Sequence, residues 1–326
     1  MKIAVLDDYQ DVVKTLDCFK LLDGHEVRVL TQTYTDVDQL AEQIGDVEAI
    51  VLVRERTEIN QELLARLPNL RLVSQTGKIS NHIDLPACTE SGVAVAEGIG
   101  SPVAPSELCW SLIMAASRHI PSYSSNLLAD KWQNSGRLGL GRALNGLTLG
   151  VWGYGKIGQR VAQFAKAFGM NILVWGSESS RTKAKTHGFS AADSKAEFFS
   201  NSDILTLHLR LNDATKNCVR KEDLAEMKPD SLFVNTSRSE LVEKGALYED
   251  LKCNTTKQAA IDVFDNEPAR NESEPLLSLP NVLCTPHLGY VEKNGYELYF
   301  RIAFENVVDF ALGKPQNIAN EDVLPV

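Results

Sequence analysis

The sequence predicts an α/β protein built from two doubly wound domains. Three observations carry that reading. Short β-branched runs alternate with amphipathic segments along almost the whole chain, as parallel strands joined by helical crossovers require. Several of the runs are apolar on both faces, as strands buried between two helix layers must be. A stretch containing Gly and Pro, "GIGSPVAPSELCWSLIMAASRHIP" at 98–121, divides the runs into two series and suits a hinge.

The first series is "KIAVL" (2–6), "EVRVL" (26–30), "AIVLVR" (49–54), "RLVSQT" (71–76) and "VAVAE" (93–97), with the amphipathic stretches "DVDQLAEQIG" and "NQELLARL" between its members. The second is "LTLGVWG" (147–153), "NILVWG" (171–176), "DILTLHL" (203–209), "SLFVNT" (231–236), "AAIDVF" (259–264) and "NVLCTP" (281–286), with "KIGQRVAQFAKAFG" following the first of them. The apolar segment after Glu107 predicts a long interdomain or intersubunit helix. The tail "YVEKNGYELYFRIAFENVVDFALG" predicts a second long helix that crosses back to the first series. The expected domains are 1–101 with 288–326, and 102–287.

Composition excludes several classes. The 326 residues, 44% hydrophobic and 23% charged, suit two soluble domains. A formal net charge of −10 argues against general nucleic-acid binding, so an anionic ligand must be drawn by a local cationic pocket. The six cysteines are scattered with no Cys-x-x-Cys pair and read as buried small hydrophobes in a reducing compartment, with neither a metal site nor a disulfide framework. The most apolar helix candidate, "LCWSLIMAAS", is far short of the roughly 20 residues of a membrane span. The amino terminus enters a strand pattern at once, which makes the cytoplasm the expected address.

Between a strand and a helix pattern, "GVWGYGKIGQRVA" places Gly153, Gly155 and Gly158 as G-x-G-x-x-G, with Tyr154, Lys156 and Ile157 completing the turn. The first glycine permits a tight turn and the second lets the backbone approach a pyrophosphate at the positive end of the helix. The third lets helix and strand pack closely. A dinucleotide is the expected cofactor. An acidic residue that would hold an adenosine ribose is expected at the end of the next strand, and Gly176 stands there instead. Nothing repels a 2′-phosphate, and Ser177, Ser179, Ser180 and Arg181 can hydrogen-bond one, so NADP is favoured over NAD. Glu178 is the competing partner for an unphosphorylated ribose.

Three other strand ends carry chemistry. "LFVNTSRSEL" ends an apolar run in Arg238, a permanent cation; "AAIDVFDNEP" supplies Asp262 and Glu267; "NVLCTPHLGY" supplies His287. A histidine with a carboxylate from a neighbouring strand is the arrangement of an oriented proton donor. Individually each residue has a plainer reading as an ion pair, a cap or a turn residue. Their joint place after strands of one sheet lifts them.

The stretches "IDLPACTESGVAVAEG", "LNGLTLGVWGYGKIGQRVAQFAKAFGM", "MKPDSLFVNTSR", "AAIDVFDNEP" and "NVLCTPHLGY" together resemble the D-isomer-specific 2-hydroxyacid dehydrogenase family, over roughly residues 71–312. The resemblance implies a Rossmann dinucleotide-binding domain and a flavodoxin-like substrate domain, with NAD(P)-dependent interconversion of a 2-oxo acid and a D-2-hydroxy acid. It implies that Arg238 clamps the substrate carboxylate and 2-oxo oxygen, that His287 protonates that oxygen, and that Glu267 pairs with His287. Asp262 would hold the nicotinamide carboxamide, and the amides around Gly77 and Lys78 would receive the carboxylate. Thr236 and His208, at strand ends, complete the candidate cofactor contacts. His82 stays open as a second histidine near the substrate loop, while His25, His119 and His187 read as structural or exposed.

Four positions depart from the family pattern: Ile79 in the substrate loop, Arg210 where proline is usual, Ser239 after the arginine, and Tyr290 after Gly289. Tyr290, with Tyr296 and Tyr299, is expected to narrow or cover the site. The resemblance also implies a homodimer, paired through the helix at about 102–118 and the arm "YSSNLLADKW". The alternatives are D-3-phosphoglycerate dehydrogenation and, in a different class, an NAD(H)-sensing corepressor on the same fold.

Overall fold

The computed structural model describes residues 1–324 and divides into two compact units, Met1–Ser101 with Glu292–Val326, and Pro102–Val291. The chain returns to the first unit at Glu292, four residues past the boundary expected from the sequence, because Leu288 and Gly289 are bonded to Asp262 of the second unit.

In the first unit, β1 (Lys2–Val5), β2 (Glu26–Val29), β3 (Ala49–Leu52), β4 (Leu72–Gln75) and β5 (Ala94–Ala96) form a fully parallel sheet in the order β2-β1-β3-β4-β5. That is the flavodoxin-like order. β3 and β4 are buried along their whole length, which explains the unbroken apolar pattern of β3, while β4 buries the polar Ser74 and Gln75 after Leu72 and Val73. Helix Val37–Ile44 starts where the Asp36 carboxylate accepts from the Gln39 amide, and helix Gln61–Leu64 starts at Asn60 in the same way. The tail forms helix Lys293–Ala311, pinned to the sheet by the buried Ser74 hydroxyl donating to the Ala303 carbonyl. Tyr296 and Tyr299 are buried within this unit, where the Tyr299 hydroxyl accepts from the Ser101 amide. Both are 4% exposed.

In the second unit, β6 (Thr148–Trp152), β7 (Asn171–Trp175), β8 (Ser190–Ala191), β9 (Ile204–Leu207), β10 (Leu232–Asn235), β11 (Gln258–Ile261) and β12 (Val282–Cys284) form a parallel sheet in the order β12-β11-β10-β9-β6-β7-β8. Counted from β6, this is the Rossmann order with one added strand. Alternate residues supply two cores, one on each face: Leu149, Val151, Val174 and Val234 on one side, Trp152, Leu173, Leu205 and Phe233 on the other. Helix Val103–Ser117 packs Cys109, Leu112 and Ile113 into the first of these. Only β8 escapes the sequence pattern, being two residues long at the sheet edge. All six cysteines are free; Cys18, Cys88 and Cys109 are buried as expected, whereas Cys253 is exposed. No helix among the described residues is long and apolar enough to cross a membrane.

Candidate active site

The strand order of the larger sheet reverses between β6 and β9, and doubly wound folds take their ligands above the carboxyl ends at such a point. Gly153 turns there at φ +97, and a Cβ on it would lie 2.5 Å from the His208 carbonyl oxygen. Gly158 opposes the Gly153 carbonyl so closely that any side chain would collide with it, whereas a Cβ on Gly155 would meet nothing within 4 Å. The helix Lys156–Ala167 begins at Gly155 without a side-chain cap. Open space over Gly155, with the uncapped amides of Lys156, Ile157 and Gly158 behind it, fits a pyrophosphate. Gln159, which the sequence reading passed over, donates from Nε2 to the carbonyls of Tyr154 and Gly155 at 3.0 and 3.1 Å and so holds the turn. The Tyr154 side chain is buried against Phe189 and bonds His187 Nδ1 at 3.0 Å, so only the Tyr154 backbone is left for a ligand.

At the end of β7 the backbone itself explains the missing carboxylate. Gly176 adopts φ +146, where side chains are strained. Ser177 caps helix Glu178–Thr186, its hydroxyl accepting from the Ser180 amide. Arg181 lays its guanidinium 5.0 Å from the centre of the Trp175 ring, a cation–π arrangement in which its buried Nε has no hydrogen-bond partner.

The reactive end is built from three neighbouring strand ends. Nδ1 of His287 and Oε2 of Glu267 are 2.6 Å apart, and the other Glu267 oxygen accepts from the Phe264 amide at 3.0 Å. Burial pushes the Glu267 carboxyl up. The bond and charge of His287, the Phe264 amide and the Arg238 guanidinium outweigh it and hold the carboxyl below its ordinary value. Arg238 is half-buried, leaves β10 in extended conformation, and donates from Nη1 to the Ser237 carbonyl at 2.7 Å.

His287 sits at φ +53, a left-handed conformation uncommon among non-glycine residues. Asp262 imposes it. Its Oδ1 accepts from the Thr285 hydroxyl (2.6 Å) and the Leu288 amide (2.7 Å), and its Oδ2 from the Gly289 amide (3.0 Å). Asp262 is fully buried and desolvation raises its pKa despite these donors. Its visible work is to hold the His287 turn, leaving about one of four carboxylate acceptor positions for a carboxamide. Tyr290 is buried beside it, with its ring edge-on to His287 at 5.6 Å. At the end of β9, burial pushes His208 down to about 4, so it is neutral near pH 7; its Nε2 meets the Thr206 hydroxyl at 3.2 Å. The Thr236 hydroxyl faces the Cys109 thiol.

The departures from pattern fall into place individually. Arg210 is exposed, and the Ser239 hydroxyl donates to Glu240 at 3.1 Å. In the first unit, Gly77 is buried and its carbonyl accepts from the Gly98 amide at 2.7 Å, while Ile79 packs on the core. Lys78 is exposed and paired with Glu97 at 2.6 Å, so its charge is already met. Arg54 was missed by the sequence reading: its guanidinium lies directly against Gly77, where a Cβ would strike it. His82 is buried, with Nε2 3.0 Å from the Gln75 amide nitrogen.

Comparison with known proteins agrees with this architecture. A family model described as D-isomer specific 2-hydroxyacid dehydrogenase, NAD binding domain, matches residues 110–289. The solved structure of phosphoglycerate oxidoreductase from Vibrio cholerae O395 is 65% identical, with a TM-score of 0.95 over 96% of this chain and 99% of that one. Hydroxypyruvate reductase of Thermotoga maritima is 33% identical over 273 residues, 83% of this chain and 87% of that protein. D-3-phosphoglycerate dehydrogenase of Methanocaldococcus jannaschii is 33% identical over the whole of this chain, which spans 60% of that protein's length. A family match over more than half the chain, on a sheet whose glycine turn already fits a dinucleotide, leaves one conclusion: the chain belongs to the D-isomer-specific 2-hydroxyacid dehydrogenases, NAD(P)-dependent oxidoreductases that interconvert 2-oxo acids and D-2-hydroxy acids.

Proposed function

We propose that this chain reduces a small 2-oxo acid to the D-2-hydroxy acid, prefers NADP(H), and works as a homodimer. The observation that carries the chemistry is the 2.6 Å contact of His287 with a Glu267 carboxylate that also feels the charge of Arg238. The bound nicotinamide would supply the hydride in reduction and accept it in oxidation. Negative charge then grows on the 2-oxo oxygen, where Arg238 offers a fixed cation and His287 a proton. Glu267 holds the imidazole by Nδ1, leaving Nε2 to face the substrate oxygen. On the first unit, the backbone around Gly77 and Lys78 is assigned to the substrate carboxylate, with Arg54 beside it.

The preference for NADP(H) rests on Gly176, Ser177 and Arg181. No carboxylate occupies the end of β7, the backbone there disfavours one, and Arg181 is stacked near it with donors to spare. The dimer rests on the stretch after helix Val103–Ser117. Leu128, Trp132 and Leu140 are 88%, 77% and 92% exposed, an apolar display that a second copy would cover.

D-3-phosphoglycerate dehydrogenation is the second reading, favoured by the names of relatives and by Arg54 beside Gly77. A spectrophotometric screen tests both. Glyoxylate, hydroxypyruvate, pyruvate, phenylpyruvate and 3-phosphohydroxypyruvate are each supplied with NADH and with NADPH. The proposal expects oxidation of NADPH with at least one unphosphorylated acid. Turnover with the phosphorylated acid alone selects the second reading, and tight cofactor binding without any turnover points to a sensor.

A further inference from the structure

We infer that Asn235 is the positioning residue that holds Arg238 and Asp262 in one frame, a reading that rests on Arg238 as the substrate clamp. Asn235 ends β10 and is 2% exposed. Its side-chain amide is used at both ends: Oδ1 accepts from the Ser237 amide at 3.0 Å, and Nδ2 donates to the Arg238 carbonyl at 2.8 Å. The two bonds staple the turn that carries the arginine to the end of the strand. In the other direction, the Asn235 backbone carbonyl accepts from the Asp262 amide at 3.0 Å. Asp262 in turn fixes the His287 turn through Leu288 and Gly289. One residue therefore sets the spacing between the cation and the loop of the proton donor.

The chemistry of the position is narrow. It requires an acceptor for the residue two ahead and a donor for the carbonyl three ahead, from one short side chain. Asparagine has both. Aspartate has no donor and would set a carboxylate oxygen against the Arg238 carbonyl. Alanine leaves the half-buried Ser237 amide without this acceptor and the Arg238 carbonyl with only the longer bond from the Leu241 amide, 3.4 Å. The adjoining Ser237 hydroxyl donates to the Leu207 carbonyl at 2.7 Å and ties the same turn to β9, so the backbone has a second anchor when Asn235 is changed.

The test compares Asn235→Ala, Asn235→Asp and Arg238→Ala in the full chain, with hydroxypyruvate and NADPH. Melting temperature and NADPH dissociation constant are measured beside kcat and KM. Both Asn235 variants are expected to lose about a hundredfold in kcat/KM, the scale of a misplacement of about 1 Å. NADPH affinity should fall far less than kcat/KM, because the pyrophosphate turn lies on other strands. The acid limb of the pH profile should move upward, since Arg238 is one of the charges that keep Glu267 ionised. Wild-type kcat/KM in a folded Asn235 variant overturns the inference. Loss of cooperative unfolding, or equal loss of NADPH affinity and turnover, makes Asn235 a stability residue and overturns it equally. An active Arg238→Ala chain refutes the substrate-clamp reading instead, which separates the two failures.

Discussion

Glu267 Oε2 and His287 Nδ1 stand 2.6 Å apart at the ends of two different strand-loop segments, and neither could be placed by its own local sequence. Glu267 is drawn in by the Phe264 amide, and His287 is turned outward by Asp262. The contact is thus the product of two independent loop geometries.

Replacing Glu267 by glutamine keeps the shape of the contact and removes its charge. The carboxyl is held below its ordinary value, so it is ionised throughout the neutral range. Without it the imidazole loses the charged partner that orients it by Nδ1, and kcat/KM for reduction should fall by about tenfold or more. A Glu267→Gln variant with wild-type kcat/KM would remove Glu267 from the proton-transfer pair.

Charge at the adenosine end is best tested at Ser177 rather than Gly176, whose φ of +146 would add strain to any substitution. Aspartate is as good a helix cap as serine, so Ser177→Asp keeps helix Glu178–Thr186 in place while adding a carboxylate. The ratio of kcat/KM for NADPH over NADH should fall by about tenfold or more, as expected when one unpaired like charge meets a phosphate. Arg181→Ala should lower the same ratio. An unchanged ratio in both would refute the NADP preference.

His208 gives a stability signature. Burial lowers it from 6.5 to about 4, so the folded state binds fewer protons than the unfolded state between those values. Its stabilising contribution is full above pH 6.5 and is lost as the pH falls toward 4. The melting temperature of the wild type minus that of His208→Gln should therefore shrink from pH 7 to pH 4.5. A constant difference would show that His208 titrates normally.

The apolar arm yields a test in solution. Trp132→Asp and Leu128→Asp change exposed side chains and should leave each unit folded. If the arm pairs two copies, light scattering coupled to gel filtration should show the mass halving in these variants. A wild type that is already monomeric at micromolar concentration would refute the dimer.

The strands were legible in the sequence because a sheet covered on both faces favours apolar runs: "AIVL" and "ILTL", the latter with one threonine, are buried at every residue. β8 was not, since two residues at a sheet edge carry no period. Arg238, Glu267 and His287 stood out because charged groups directly after buried strands are few. What could not be read was who meets whom. Lys78 looks free in the sequence and is paired with Glu97, nineteen positions away. Arg54 looks like an ordinary strand-end residue until the sheet order sets β3 beside β4 and brings it against Gly77. Asp262 was read as a cofactor contact, and most of its carboxylate is used by the turn of His287.

The most direct measurement is the configuration of the product formed from hydroxypyruvate and NADPH, by the wild type and by His287→Gln. Formation of D-glycerate alone is what membership of the family predicts, and a rate falling by about 10²–10⁴ in the variant is what a single oriented proton donor predicts. An L or racemic product, or a variant as fast as the wild type, would contradict it.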